Sequence, residues 1–379
     1  MKSISLFALF LFSSLSSTAQ LVNESFVFEG VQRDHKVFVP ASFSEDMPLV
    51  LNLHGYTSNA FQQVFYSNMN AVAEQNNFLV VYPDGTTDQF ETTFWNSAIL
   101  GESVDDLGYL SALIDSMIVN YNVNPSRVYM CGMSNGGFMS YYSACELSDK
   151  IAAIASVTGT MNNEIYDNCN PARAVPVLEI HGTADGTVPY NGASNGGSFQ
   201  TMISTEEVVD FWVNHNNCTL ESEQVLEDIS TTDLSTVTHF VYSGGTNGTS
   251  VELYRINNGG HTWPGSIIPL PGTNLDIIAS EVIWDFFKKY SIDGLLEIDV
   301  IADFNSFDIM PNPMLGYTSV KSSTEMELLC IYDLQGKRVF TDFVDGFEYI
   351  LEKGNLNSGM YIIEVKTGAQ SIHKKLFVR

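Results

Sequence analysis

The 379-residue sequence predicts an α/β fold with a mainly parallel sheet covered on both faces, followed by a small all-β domain. Three observations carry that expectation. Apolar runs of strand length alternate with amphipathic stretches of helix length up to about residue 290, the pattern of a sheet buried on both sides. Beyond about 292 the helical patterning stops, and short alternating segments separated by Gly, Asn and Lys turns take over. The charge divides at the same place: residues 1–300 hold −25 of the formal −27, while 301–379 stand at −2.

In order, Phe26-Val27-Phe28 and Lys36-Val37-Phe38-Val39 read as a hairpin, and Leu49–Leu53 as a buried strand ending at His54-Gly55. Residues 60–76 suit a helix, Phe78–Tyr82 a strand stopped by Pro83-Asp84-Gly85, and 105–121 a helix with its stripe at Leu107, Leu110, Leu113, Ile114 and Met117. Strand Val128–Cys131, helix 135–147, and strands Ile151–Val157 and Val175–Ile180 follow. A helix at 203–215, a hairpin over 237–257 and a helix over 275–290 complete the section. In the tail, Glu327–Tyr332 and Met360–Val365 are short strands of the kind found in a small sandwich. The expected divisions are therefore a leader at 1–19, an α/β domain at 20–292, a linker at 293–304 and the all-β domain at 305–379.

Composition restricts the function classes. A hydrophobic content of 45% excludes global disorder, and 44 acidic against 17 basic residues, with no basic run, argues against nucleic acid or an anionic membrane surface as partner. The N-terminus reads as a secretory signal: Lys2, an apolar stretch from Ile4 to Leu15, then Ser17-Thr18-Ala19. The serines at 13, 14, 16 and 17 interrupt it too often for a membrane anchor, and no later run is long enough to span a bilayer. Five cysteines match no zinc spacing. Cys131 reads as a buried strand residue and Cys330 belongs to the tail. Cys145, Cys169 and Cys218 remain for at most one bridge, with Cys145–Cys169 the expected pair.

Gly132-Met133-Ser134-Asn135-Gly136 matches G-x-S-x-G, in which small flanking residues permit a sharp strand-to-helix turn that exposes a nucleophilic serine. The pattern occurs twice, the second time as Gly192-Ala193-Ser194-Asn195-Gly196. Ser134 follows an apolar strand and precedes a helix, whereas Ser194 lies in a polar loop that no strand enters. Ser134 is therefore the candidate nucleophile. The acid should follow a later strand. Asp185 stands just past Val175–Ile180, although an Asp-Gly turn is an equally good reading of position alone. Of seven histidines, His35, His54 and His181 precede Asp185, His373 lies in the tail, His215 ends a helix and His239 is inside a strand. His261, in a Gly-rich loop between the last hairpin and the last helix, is the candidate base. Backbone N–H groups of Asn135 and of Tyr56, in the loop after the early strand, are the candidate oxyanion donors.

Together, Leu53-His54-Gly55, Tyr82-Pro83-Asp84-Gly85, Val104-Asp105-Asp106, Gly132–Gly137, His181-Gly182-Thr183-Ala184-Asp185 with Val188-Pro189-Tyr190, and Gly259-Gly260-His261-Thr262-Trp263-Pro264 carry a resemblance. They resemble the polyhydroxybutyrate depolymerase / feruloyl esterase family of α/β-hydrolases over about 24–290. The resemblance implies a serine esterase without metal or organic cofactor and with Ser134, Asp185 and His261 as triad, which lifts Asp185 above an ordinary turn residue. The tail is similar to the C-terminal sorting domain of the type IX secretion system. Met310-Pro311-Asn312-Pro313, Ile331–Lys337, Leu356–Ile362 and Lys374-Lys375 carry that likeness. It implies passage through the periplasm and across the outer membrane by that machinery, then release or attachment at the cell surface, with a carbohydrate-binding or generic Ig-like sandwich as the alternative.

The expectation is a secreted carboxylic ester hydrolase acting on feruloyl or acetyl esters of polysaccharide. The alternatives are a polyester depolymerase, a peptidase of related fold and a non-catalytic polymer binder. Phe94, Trp95 and Trp263 are candidate substrate contacts, with ordinary packing as the competing reading.

Overall fold

The computed structural model describes residues 18–98, 103–194, 201–296, 307–333, 337–354, 356–367 and 370–379. The leader lies almost wholly outside them, as do most of the expected linker and Asn195-Gly196 of the second G-x-S-x-G. The chain divides into two compact units, Met1–Leu296 and Glu297–Arg379.

In the first unit, β1 (Gln20–Phe28) and β2 (Val31–Val39) form the N-terminal hairpin. Glu29 and Gly30 both take positive φ (49° and 83°), the twist that a two-residue hairpin turn requires. β3 (Leu49–Leu53), α1 (Ala60–Ser67), α2 (Met69–Asn76) and β4 (Leu79–Pro83) follow. The single helix expected over 60–76 is in fact two, because Asn68 adopts the left-handed conformation (φ 51°, ψ 27°) and serves as cap to both. Next come the short β5 (Thr86–Thr87) and β6 (Thr93–Phe94), then α3 (Asp106–Tyr121), whose N-cap Asp105 accepts from the Gly108 N–H at 2.8 Å.

β7 (Val128–Met133), α4 (Asn135–Glu146), β8 (Ala153–Val157), α5 (Asn163–Asn168), β9 (Val177–Gly182), α6 (Thr205–His215), β10 (Leu220–Val225), β11 (Thr236–Ser243), β12 (Val251–Asn257) and α7 (Ala279–Phe287) complete the main body. The small hairpin β13 (Tyr290–Ser291) and β14 (Gly294–Leu295) closes the unit. α7 is shorter than the 275–290 expected, and the sequence reading lacked α5 and β10. β10 is exposed at every position, so no apolar alternation marks it.

Ten strands form one sheet in the order β1-β2-β4-β3-β7-β8-β9-β12-β11-β10. The six from β4 to β12 run parallel, and antiparallel pairs flank them. Alternation along β3 shows how both faces fill. Leu49, Leu51 and Leu53 join one core with residues of α3, α4 and α6, while Val50 joins the other with residues of α1, α2 and α7. Asn52, on the second face, is fully buried and satisfied by Ser67 (3.0 Å) and Gln63 (2.8 Å). Arg33 on β2 and Asp106 at the start of α3 make a buried ion pair at 2.6 Å, with the guanidinium 3.7 Å from the Tyr109 ring centroid.

The second unit is all β. It comprises β15 (Phe307–Met310), β16 (Tyr317–Tyr332), β17 (Arg338–Glu352), β18 (Gly359–Thr367) and β19 (Gln370–Val378). The order is β15-β16-β18-β19, and β17 pairs with β16. The long β16 is shared: its first half pairs with β15, its last residues with β18, and β17 accompanies both parts across register breaks. Phe307, Val320, Leu329, Ile331, Ile363, Val365 and Leu376 form the core of this unit.

Candidate active site

Parallel strands deliver their carboxyl ends to one edge of a sheet, and four of the loops at this edge matter here. They follow β3, β7, β9 and β12, and they carry Gly55-Tyr56, Ser134, Asp185 and His261 respectively.

Ser134 sits between β7 and α4 at φ 54°, ψ −118°, a conformation L-residues rarely adopt. Its N–H donates to the Val157 carbonyl at 2.8 Å. Its own carbonyl accepts from Gly137 (2.7 Å) and Phe138 (3.0 Å), starting the helix. The flanking glycines are required by close approach. A Cβ on Gly132 would meet the Gly136 carbonyl oxygen at 2.4 Å, and one on Gly136 would meet the Leu53 carbonyl oxygen at 2.5 Å. Gly55 packs against the serine itself, since a Cβ there would lie 3.5 Å from the Ser134 Cβ.

The Gly55–Ser58 turn is fixed from several directions. His54 is fully buried; its Nε2 accepts from the Gly85 N–H at 3.0 Å, so its Nδ1 carries the proton shared with the Gly55 carbonyl at 2.8 Å. Burial holds this imidazole below its usual range. The Tyr56 phenol donates to Asp88 at 2.7 Å, and the Thr57 N–H donates to Thr93 at 2.9 Å.

Asp185 and His261 meet because two glycines touch. A Cβ on Gly182 would stand 2.3 Å from the Gly259 carbonyl oxygen, so the loop after β12 can lie directly on the end of β9. The Ala184 N–H donates to that same carbonyl at 2.9 Å. The result is a 2.7 Å hydrogen bond between His261 Nδ1 and Asp185 Oδ2. Asp185 Oδ1 accepts from the N–H groups of Thr187 and Val188, both at 2.8 Å. Burial alone would raise the Asp185 pKa. The hydrogen bond and charge of His261, the Val188 amide and the charge of His181 outweigh it and hold the carboxyl below 3.8.

The remaining expected residues fall as follows. Asn135 is buried, and its carboxamide bonds the backbone of Trp95. Phe94, Trp95 and Trp263 are almost wholly enclosed, at 1%, 0% and 0% exposure, which corrects their reading as substrate contacts. The Trp95 indole N–H donates to the His54 carbonyl (3.1 Å) and that of Trp263 to Ser280 (3.2 Å), so both rings pack and brace the site loops. Ser194 is exposed in a loop beside an isolated bridge between Ala193 and Met202. Cys145 and Cys169 are joined in a disulfide with Cα atoms 5.0 Å apart, tying α4 to the end of α5. Among the described residues no cluster of three or more His, Cys, Asp or Glu side chains is arranged to hold a metal, and no helix is long and apolar enough to cross a membrane.

A group that the sequence reading passed over lies beneath Asp185. Glu179 and His181, two residues apart on β9, point to the same face, and both are fully buried with Tyr141 of α4. Strand alternation puts the two on one face, but only the folded loop after β9 brings Asp185 to 3.5 Å from His181.

Two segments of the chain match known families. Residues 102–233 match the family model described as phospholipase/carboxylesterase, and residues 308–379 match the secretion system C-terminal sorting domain. A bifunctional acetylxylan esterase/xylanase from Neocallimastix patriciarum is 25% identical over 267 residues, covering 70% of this chain and 34% of that protein. Feruloyl esterase B from Piromyces equi is 29% identical over 260 residues, covering 67% and 44%. Poly(3-hydroxyalkanoate) depolymerase C from Paucimonas lemoignei is 26% identical over 254 residues, covering 62% and 59%. The chain thus spans between a third and three-fifths of the length of these relatives. Among solved structures, an acetyl xylan esterase from Aspergillus awamori superposes with a TM-score of 0.49 at 13% identity, over 72% of this chain and 99% of that one. Residues 102–233 are thus similar to the phospholipase/carboxylesterase family, feruloyl esterases and polyhydroxybutyrate depolymerases are among the relatives of the chain, and residues 308–379 match a secretion system C-terminal sorting domain.

Proposed function

We propose that this protein is an exported serine esterase that hydrolyses carboxylic esters on a polymer. The observation that carries the reading is the 2.7 Å bond from His261 to the buried carboxylate of Asp185, at the same sheet edge as a serine held at φ 54°. With Nδ1 engaged by Asp185, the opposite nitrogen of His261 is the one that takes the Ser134 hydroxyl proton as Oγ attacks the ester carbonyl. The Asn135 and Tyr56 N–H groups receive the developing oxyanion. His261 returns its proton to the departing alkoxide, and water, activated by the same imidazole, then releases the acid.

Esterified polysaccharide is the first substrate class, supported by the acetylxylan and feruloyl esterases among the relatives. A polyester is the second, favoured by an apolar groove of about 520 Å³ lined by Ser58, Phe61, Phe65, Tyr66, Ile268 and Leu270. Four of these are substantially exposed, and exposed apolar surface of that kind marks contact with an apolar partner. Ser58 belongs to the turn packed on Ser134, and the Tyr66 oxygen accepts the Trp263 N–H at 3.1 Å, two residues from His261. The leader and the sorting domain support export through the periplasm to the cell surface or medium.

Ser134→Ala should abolish both p-nitrophenyl acetate hydrolysis and fluorophosphonate labelling, and more than trace activity in that variant ends the serine mechanism. Product analysis on methyl ferulate, acetylated xylan and polyhydroxybutyrate separates the substrate classes. Deleting 305–379 should retain the enzyme in the periplasm with its specific activity intact, and lost activity on insoluble polymer alone would make the tail a binder.

A further inference from the structure

Behind the candidate triad runs a second, wholly enclosed chain of polar groups that the esterase mechanism does not use. The Tyr141 hydroxyl donates to Glu179 Oε2 at 2.8 Å, and Glu179 Oε1 lies 2.9 Å from His181 Nδ1. His181 Nε2 lies 2.9 Å from the Val188 carbonyl and 3.5 Å from Asp185 Oδ2. A backbone carbonyl only accepts, so Nε2 carries a proton; Nδ1 faces a carboxylate oxygen, so a second proton sits between Glu179 and His181. A carboxylate buried without a cation is costly, as is a buried imidazolium without an anion, and these two are the partners that relieve each other.

Other titratable groups surround the ring. The Tyr190 ring meets it edge-on with centroids 5.8 Å apart, and the Tyr190 hydroxyl bonds Glu206 at 3.3 Å. Arg255, the register partner of His181 on β12, is 4.0 Å from Glu206. Asp185 and, beyond it, His261 face the ring from the two site loops.

We propose that Glu179 and His181 are positioning residues of the candidate triad: Glu179 keeps His181 an imidazolium, and its Nε2 edge holds Asp185 ionised and aligned toward His261. Burial disfavours charge on His181, but the hydrogen bond and charge of Glu179 and the Val188 carbonyl lift it above its ordinary range. Burial likewise raises Glu179. The positive end of this neutral pair faces Asp185, where it opposes protonation of the carboxylate that His261 needs.

This inference rests on the esterase reading, and its test keeps the two apart. Glu179→Gln and His181→Gln each remove the cation. Each should move the acid limb of the kcat/KM profile for p-nitrophenyl acetate upward by about 0.5–1 pH unit. The plateau should fall no more than about tenfold, far short of the loss in Ser134→Ala. Tyr141→Phe, which removes only the outermost donor, should shift the limb in the same direction by less. An unmoved limb in folded variants, whatever the plateau, overturns the proposal while Ser134→Ala still reports on the triad. Should the buried variants fail to fold, nitrogen-15 spectra of histidine-labelled His239→Gln protein decide. One imidazolium persisting to pH 9 supports the pair, and all rings neutral there overturns it.

Discussion

The carboxamide of Asn135 bonds both backbone groups of Trp95, accepting from its N–H at 2.7 Å and donating to its carbonyl at 3.0 Å. The first residue of α4 is thereby locked to the loop that follows β6. Asn135→Ala would leave the Trp95 N–H unpaired, while its carbonyl keeps the Ser97 N–H at 2.9 Å, so the change should destabilise the fold by about 1–3 kcal/mol. Urea unfolding checks the size, and a loss below about 1 kcal/mol would mean that the loop re-forms its bonds elsewhere.

Gly136 and Gly186 make a contrasting pair. A Cβ on Gly136 meets only rigid backbone, at 2.5 Å from the Leu53 oxygen and 2.7 Å from the His54 oxygen, whereas one on Gly186 meets nothing within 4 Å. Gly136→Ala should cost about 1–3 kcal/mol and disturb the Ser134 turn, with esterase activity falling accordingly. Gly186→Ala should leave melting temperature and activity close to those of the parent.

The buried Arg33–Asp106 pair is held at 2.6 Å, and Asp106 also accepts the Asn96 N–H at 2.7 Å. Asp106→Asn strands a buried guanidinium and should cost about 3–5 kcal/mol. Replacing both partners together, as Arg33→Met with Asp106→Leu, should cost less than the single change. The double-mutant cycle measures the difference, and strict additivity would contradict the pairing.

Acid sensitivity should trace in part to Glu252, which accepts from Lys289 and pairs with His239, each at 2.9 Å. Burial would raise its pKa, but the hydrogen bonds and charges of His239 and Lys289 outweigh that and hold it below 4.5. As pH falls, the unfolded chain protonates this group first and so binds more protons than the folded one; the contribution present above pH 4.5 is lost as pH drops through the lower folded value. Glu252→Gln should therefore lower stability at pH 7 and flatten its fall below pH 4.5. Chemical denaturation at several pH values reads both.

How much of this was legible depended on whether the information is local. The parallel sheet announced itself because strands such as Leu49–Leu53 and Leu79–Val81 are apolar at almost every position, as burial on both faces demands. Ser134 could be separated from Ser194 because a strand and a helix flank only the first. The break at Asn68 was hidden, since a left-handed asparagine leaves no mark in the apolar periodicity, and exposed β10 had no pattern to read.

The sequence by itself determined the two-part organisation, the turn carrying Ser134 and the set from which acid and base could be drawn. It could not separate Asp185 from an ordinary turn aspartate, because that choice depends on a residue 76 positions away. Only the tertiary structure supplies that partner, through the contact of Gly182 with Gly259, which brings the ends of β9 and β12 close enough for Asp185 and His261 to bond. Packing likewise turned Trp95 and Trp263 inward and stacked Tyr141, Glu179 and His181 beneath the acid, since burial and charge pairing are properties of the assembled sheet and not of any one segment.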